Sequence, residues 1–273
     1  MSSRSFSLGF WLAAAWLVSV VFCVLFASWL PVADPLEPII PDRLNLPFSE
    51  NLLGADGLGR DILARLVHGA RVSAVISLTA VSIGMLVGGT LGMIVGYFRG
   101  LAERIVMACV DVILGFPGLV LLLALVAFVG QSLLAISLVI GFLSIPAYAR
   151  VARANTLVVA QREFVLAAEA MGASTPWILA REILPNVILP VLAYGLVAMG
   201  FVIVIEGALA FLGLSVEPPQ PTWGGMISEG KRYLNSHVHV ALVPSVTMFV
   251  TVLSLNFVGD QLRSRFDVRG SNV

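Results

Sequence analysis

The sequence predicts an all-α integral membrane protein with six transmembrane helices, and three observations carry that reading. Of its 273 residues, 59% are hydrophobic and only 12% charged, about half the charged share of a soluble domain. Long charge-free windows recur along the chain, and about 20 apolar residues suffice to cross the hydrocarbon core. Basic residues are distributed unevenly among the connections, which orients the spans.

The first window, 5–33, holds a span at about 8–30. Arg4 before an apolar run is also how a secretory signal begins. The run from Leu8 to Leu30 is far longer than such a segment, however, and no small-x-small cleavage site follows it, so the helix is expected to be retained. The connection 31–71 opens with Pro31, Pro35, Pro38, Pro41 and Pro47, which prevent a helix in its first half. From Gly59 onward, Ile62, Leu63, Leu66 and Val67 recur at helical spacing. They suggest a short amphipathic helix lying against the bilayer, with Asp61 and Arg65 as an i, i+4 ion pair on its polar side.

Span two occupies 72–98, and on it Gly84, Gly88, Gly92 and Gly96 recur every fourth residue. Such a ladder lets two backbones approach closely, so it marks a tight helix pair, either within the chain or with a second membrane chain. The window 112–149 would reach about 57 Å as one helix, nearly twice the core thickness. It therefore holds parts of two spans, at about 106–129 and 133–150, with Gly130, Gln131 and Ser132 as the turn. The last two spans fall at about 187–212 and 240–260. Six crossings put both termini on one side.

With that side cytoplasmic, the inner segments carry Arg4, Arg99, Arg104, Arg150, Arg153, Arg162, Arg181, Arg263, Arg265 and Arg269. The outer segments carry fewer basic residues: Arg43, Arg60, Arg65, Arg71, Lys231 and Arg232. The inner connection 150–185 is not loop-like. Residues 163–171 alternate apolar and charged positions at helical spacing, and Gly172 stands where a helix end wants a residue tolerant of positive φ. Thr175 then serves as N-cap with Pro176 at the first helical position, opening a second short helix that runs to Pro185. Two short helices on a glycine elbow form a rigid knob, a shape suited to another protein's groove. The outer connection 213–239 is stiffened by Pro218, Pro219 and Pro221, and its Trp223 suits an interfacial anchor or a contact residue.

Several chemistries are excluded. Sixteen basic residues balance sixteen acidic ones, so there is no basic footprint for nucleic acid. Lys231, the only lysine, is followed by Arg232, which rules out a phosphate loop ending in Lys and Ser or Thr. Cys23 and Cys109 lie in apolar stretches and read as small buried hydrophobes; they offer neither a disulfide framework nor metal-ligand spacing. His237 and His239, two apart on an outer connection, read as ordinary solvated side chains. No H-E-x-x-H or G-x-S-x-G pattern appears. Asp111 and Glu206 are the acids inside or at the edge of spans, where an ionisable group suggests function. Asp111 suits a paired helix-end residue, and Glu206 either lines a polar path or bonds across a subunit boundary.

With these connections in view, the chain resembles the C-type permease subunit of ATP-binding-cassette importers for dipeptides, oligopeptides and nickel. Four stretches carry the resemblance, in the family's order: NLLGADGLGRDILARLVHGARVS, LAAEAMGASTPWILAREILPN, EGALAFLGLSVEPPQPTWG and NFVGDQLRSRFDVR. The second is similar to the cytoplasmic EAA loop: Ala167, Ala168, Gly172, Leu184 and Pro185 match, while Leu166 replaces the Glu and Glu182 falls at the Ile position. The resemblance implies coupling to an ATPase through Glu163, Ala167, Ala168, Glu169, Met171, Gly172, Ala173, Leu184 and Pro185. It also implies a translocation path touching Asp111 and Glu206, and contact with a binding protein through Asp56, Arg60, Asp61, Pro219 and Trp223. The family often carries Arg where Ala108 stands, so Asp111 lacks that partner here.

The expected assembly is a second homologous permease, two ATP-binding subunits or domains and an extracytoplasmic solute-binding protein, in a bacterial inner membrane. ATP and Mg belong to the partner subunits, and this chain is expected to hold no cofactor or metal and to be no enzyme. The competing class is a proton-coupled secondary transporter working through Asp111 and Glu206. Such proteins often show inverted repeats, which this sequence lacks, and the knob would have no use in one. A membrane-anchored structural or receptor subunit leaves six spans with internal polar residues unexplained.

Overall fold

A computed structural model describes residues 7–270, and every described element is helical apart from one isolated bridge pairing Ala55 with Asp61. Arg4 and the side chains of Arg265 and Arg269, which entered the charge count above, lie outside the described residues. The described helices are α1 (Leu8–Phe26), α2 (Ile62–Phe98), α3 (Gly100–Gly115), α4 (Gly118–Val129), α5 (Leu133–Val159), α6 (Glu163–Ala170), α7 (Thr175–Phe211), α8 (Trp223–Gly230) and α9 (His239–Gly270). Five of them, α1, α2, α5, α7 and α9, are long and apolar enough to cross a membrane. The pair α3 and α4 makes a sixth span if counted as one.

Two sequence expectations about the spans are corrected. The third span is not one helix, because α3 and α4 meet at an 87° bend. Pro117 supplies no N–H and forces the preceding residue out of the helical region, and Phe116 is extended (φ −78°, ψ 144°). There is also no separate interfacial helix before span two. Ile62 begins α2 itself, which runs 37 residues to Phe98 with a π-helical stretch at Gly84–Gly89. Similarly, α5 continues to Val159, past the expected span end, and carries Pro146 inside it.

The chain packs as two compact units. The first comprises residues up to Leu78, Leu125–Ser137 and Met199–Val258; the second comprises Thr79–Ala124, Leu138–Ala198 and the chain from Gly259 onward.

In the first unit, Ser7 caps α1 by accepting from Phe10 N–H. The helix is apolar all round, and Phe10 is its one buried residue, the pattern of a helix facing lipid. It is held to α9 by Trp16 Nε1, which donates to Thr251 Oγ1 at 2.9 Å. The proline-rich connection folds back on itself, with Leu44 N–H bonded to Asp56 O and Ala55 N–H to Asn45 O. Gly59 turns at φ +79°, and a Cβ there would overlap the carbonyl oxygen of Ile39, so only glycine fits.

In the second unit the glycine ladder of α2 lies on α5. A Cβ on Gly84 would meet the Tyr148 ring at 2.5 Å, one on Gly88 the Ile145 carbonyl, one on Gly92 the Ala149 carbonyl, and one on Gly96 the Arg153 carbonyl at 3.1 Å. The close helix pair is therefore within the chain.

Candidate functional sites

The elbow in the second unit is built by its backbone. At the end of α6, Gly172 N–H bonds to Glu169 O and Ala173 N–H to Ala168 O, with Gly172 at φ +81°. That pair of reversed bonds is the Schellman ending, which satisfies carbonyls the helix would leave open. Ser174, not Thr175, holds the N-cap position of the next helix (φ −70°, ψ 147°), with Pro176 in its first turn. That helix does not stop at Pro185. It continues without interruption as α7, so the second half of the expected knob is the first part of a span.

Val165 and Ala168 face inward and are buried. This corrects the expectation that Ala168 is presented to a partner. Glu163, Leu166, Ala167, Glu169, Met171, Leu184 and Pro185 are exposed and Ala173 is half-buried. Phe164, Leu166, Met171 and Trp177 leave an apolar surface on the elbow, with Met171 82% exposed. Tyr97, near the end of α2, donates its hydroxyl to Glu169 Oε1 at 2.8 Å and pins α6 in place.

Asp111 on α3 is paired with Arg150 on α5 at 2.7 Å. The partner that Ala108 does not provide therefore comes from another helix. Arg153 Nε likewise donates to Glu103 Oε1 at 2.6 Å, a second tie between α3 and α5.

The first unit holds the strongest polar cluster. Arg60 Nε donates to Asp56 Oδ2 at 2.7 Å, and Arg60 and Arg65 both donate to Glu229 Oε2, at 2.8 and 3.0 Å. The side chains of Arg65, Arg60 and Asp56 are 1%, 6% and 7% exposed. The expected Asp61–Arg65 pair does not form. Asp61 instead accepts from Ala64 N–H at 2.7 Å and caps the start of α2. Trp223 is also buried, its Nε1 donating to Leu66 O at 3.1 Å and its N–H to Ser73 Oγ. Asp56, Arg60 and Trp223 are thus buried in internal ties within the chain, while Pro219 remains exposed.

Glu206 is 1% exposed. It accepts from Ser215 Oγ and from Thr222 Oγ1, and Thr222 Oγ1 in turn accepts from Gly225 N–H as the cap of α8. Through Oε1 the carboxylate therefore binds the chain's own 213–225 segment, a tie that neither expected role included.

His239 is buried rather than solvated, its ring beside Gly54. Cys109 is exposed and Cys23 half-buried, contrary to the core reading. Among the described residues, no group of three or more His, Cys, Asp or Glu could hold a metal ion.

Sequence reasoning missed Glu229, Ser215 and Thr222. Arg65 and Asp56 were in view, but their partner lies 164 positions further on from Arg65, and no spacing rule spans that distance.

Residues 88–270 match the family described as binding-protein-dependent transport system inner membrane component. The chain is 39% identical over 257 residues to the glutathione transport system permease protein GsiD of Pectobacterium atrosepticum, covering 93% of this chain and 85% of that protein. It is 36% identical over 260 residues to the di/tripeptide transport system permease protein DppC of Pseudomonas aeruginosa, covering 93% and 86%. Among solved structures, a chain of the MetNI methionine ABC transporter in inward-facing conformations matches with a TM-score of 0.56 at 18% identity, over 74% of this chain and 96% of that one. That last likeness speaks for the fold. The all-helical architecture with five or six candidate spans and relatives of this identity along nearly the whole chain lead to one conclusion: the chain belongs to the binding-protein-dependent inner membrane components, the permease subunits of ABC importers.

Proposed function

We propose that this chain forms half of the transmembrane path of an importer for short peptides, glutathione-like tripeptides included. It pairs with a second homologous permease in a bacterial inner membrane, with both termini cytoplasmic. Of two ATP-binding subunits, which carry the ATP and Mg, one seats on this chain's elbow around Gly172 and the other on the second permease, and an extracytoplasmic binding protein delivers the substrate. The chain itself hydrolyses nothing and holds no cofactor.

The observation that carries this reading is the elbow. Its backbone ending is fixed, Tyr97 braces it, and it presents Leu166 and Met171 outward where solvent would favour polar residues. A short helix with an apolar face fits a groove on a partner. The proton-coupled alternative loses support because the chain belongs to the binding-protein-dependent transport components.

The test uses the assembled transporter in proteoliposomes. Leu166→Glu with Met171→Glu should leave the chain inserted, release the ATPase subunits or silence their stimulation, and cut uptake of labelled dipeptide. Unchanged ATPase retention and uptake would overturn the reading.

A further inference from the structure

The quartet Asp56, Arg60, Arg65 and Glu229 borders a cavity of about 240 Å³ in the first unit, with Arg232 and Tyr233 also in its wall. Three guanidinium groups face two carboxylates there, so the wall carries net positive charge. The two acids are held very differently. Asp56 is buried and its Oδ1 accepts from the N–H groups of Leu58 and Arg60 at 2.8 and 3.0 Å, which fixes it in place. Glu229 is 33% exposed and meets both arginines through one oxygen only. Glu229 can therefore turn to water while the guanidiniums stay where the protein holds them. Arg232 is exposed and lies against the Tyr233 ring, 6.0 Å from its centroid.

We propose that this cavity is a carboxylate-accepting site, in which an incoming carboxylate replaces Glu229 on Arg60 and Arg65 and Arg232 closes over it. Planar guanidiniums pair with carboxylates through parallel charge-assisted hydrogen bonds, so the site discriminates against an amide of the same shape. The exchange also unties α8, which carries Glu229, from the first turns of α2, which carry Arg65. The cavity is smaller than the pockets of about 300 Å³ or more that hold whole drug-sized ligands, so it takes one acidic group with a short stem. On the function proposed above, on which the choice of source rests, that group is the C-terminal carboxylate of a peptide or an acidic side chain of the delivering protein.

The experiment uses the assembled transporter in lipid nanodiscs, as wild type, Glu229→Gln and Arg232→Gln. Melting in sodium acetate is compared with melting in sodium chloride at equal ionic strength, and binding of radiolabelled Ala-Ala is competed with Ala-Ala or its C-terminal amide. Acetate should raise the melting temperature of wild type. The rise should be larger in Glu229→Gln, which lacks the competing carboxylate, and should shrink in Arg232→Gln. If the peptide is the source, the amide should compete about tenfold more weakly than the acid. If acetate stabilises the complex and instead displaces the delivering protein, while Ala-Ala does not bind, the site stands and the delivering protein is the source. Should Glu229→Gln fail to assemble, wild type and the surface variant Arg232→Gln still decide. Equal melting in acetate and chloride, with acid and amide competing alike, would overturn the site. Uptake of Ala-Ala is measured separately: no uptake alongside a positive acetate result would defeat the peptide reading and leave the carboxylate site intact.

Discussion

Gly92 and Gly89 lie three residues apart on α2, yet the structure gives them opposite tolerances. A Cβ on Gly92 would overlap the Ala149 carbonyl of α5, whereas one on Gly89 would meet nothing nearer than Val191 Cγ1 at 3.9 Å. Gly92→Ala should therefore cost about 1–3 kcal/mol through forced separation of the pair, and Gly89→Ala should be neutral or stabilising by about 0.5–1 kcal/mol. Thermal melting of the purified protein in detergent reads both. At the buried ion cluster, Arg65→Met leaves Asp56 and Glu229 short of a counter-charge and should cost about 3–5 kcal/mol. Asp61→Asn keeps an oxygen for Ala64 N–H and should change the melting point little by comparison. The glycine row was legible because its repeat lies within one helix. The ion cluster was not, because a charge's partner depends on folding: Asp61 sits at the ideal spacing from Arg65, but the guanidinium turns inward to Asp56 and Glu229 instead.

At the scale of elements, punctuation residues were the most readable signals, and their neighbours decided what they punctuate. Gly130 ends α4 as expected, at φ +109°. Phe116 and Pro117 break the preceding helix by the same local rule, but a count of apolar residues runs across them because both are apolar. Gly172 was legible as an elbow, while the continuation through Pro185 was not: a proline in the first turns of a long helix reads as a stop until the packing of that helix is known. The elbow separates backbone from surface effects. Gly172 is at φ +81° with open space around its Cα, so Gly172→Val should meet about 1–2 kcal/mol of backbone strain, whereas Gly172→Asn should keep most of the function, since Asn tolerates that conformation. ATPase stimulation in the assembled complex is the readout. Ala168→Trp behaves differently from Met171→Glu, because Ala168 is buried inside the unit. The first variant should lower the yield of the folded chain, and the second should spare yield while weakening ATPase retention.

For the whole chain, the decisive quantity is the number of crossings, and it turns on the bent pair α3 and α4. If the pair crosses, six spans place the α4–α5 turn on the same side as the 27–61 connection and the α6 elbow on the other. If the pair enters and returns to the same side, α5 and every later crossing reverse, and the elbow shares a side with 27–61. Asp111 and Arg150, both more than half exposed in the chain and paired at 2.7 Å, set the third span's foot against the far part of α5. A hairpin that turned back within the membrane would leave that part of α5 on the opposite side from the α2–α3 corner at Arg99, and would put the arginines at 150, 153 and 162 outside, against the positive-inside bias. We predict the crossing arrangement. With Cys23 and Cys109 replaced by Ser, single cysteines at Leu46, Gln131 and Met171 report it directly. A membrane-impermeant maleimide added to intact cells should label Leu46→Cys and Gln131→Cys and should reach Met171→Cys only after permeabilisation. Labelling of Met171→Cys from outside together with Leu46→Cys, while Gln131→Cys stays protected, would show that α3 and α4 form a re-entrant hairpin, and would remove the elbow from the face where an ATPase could meet it.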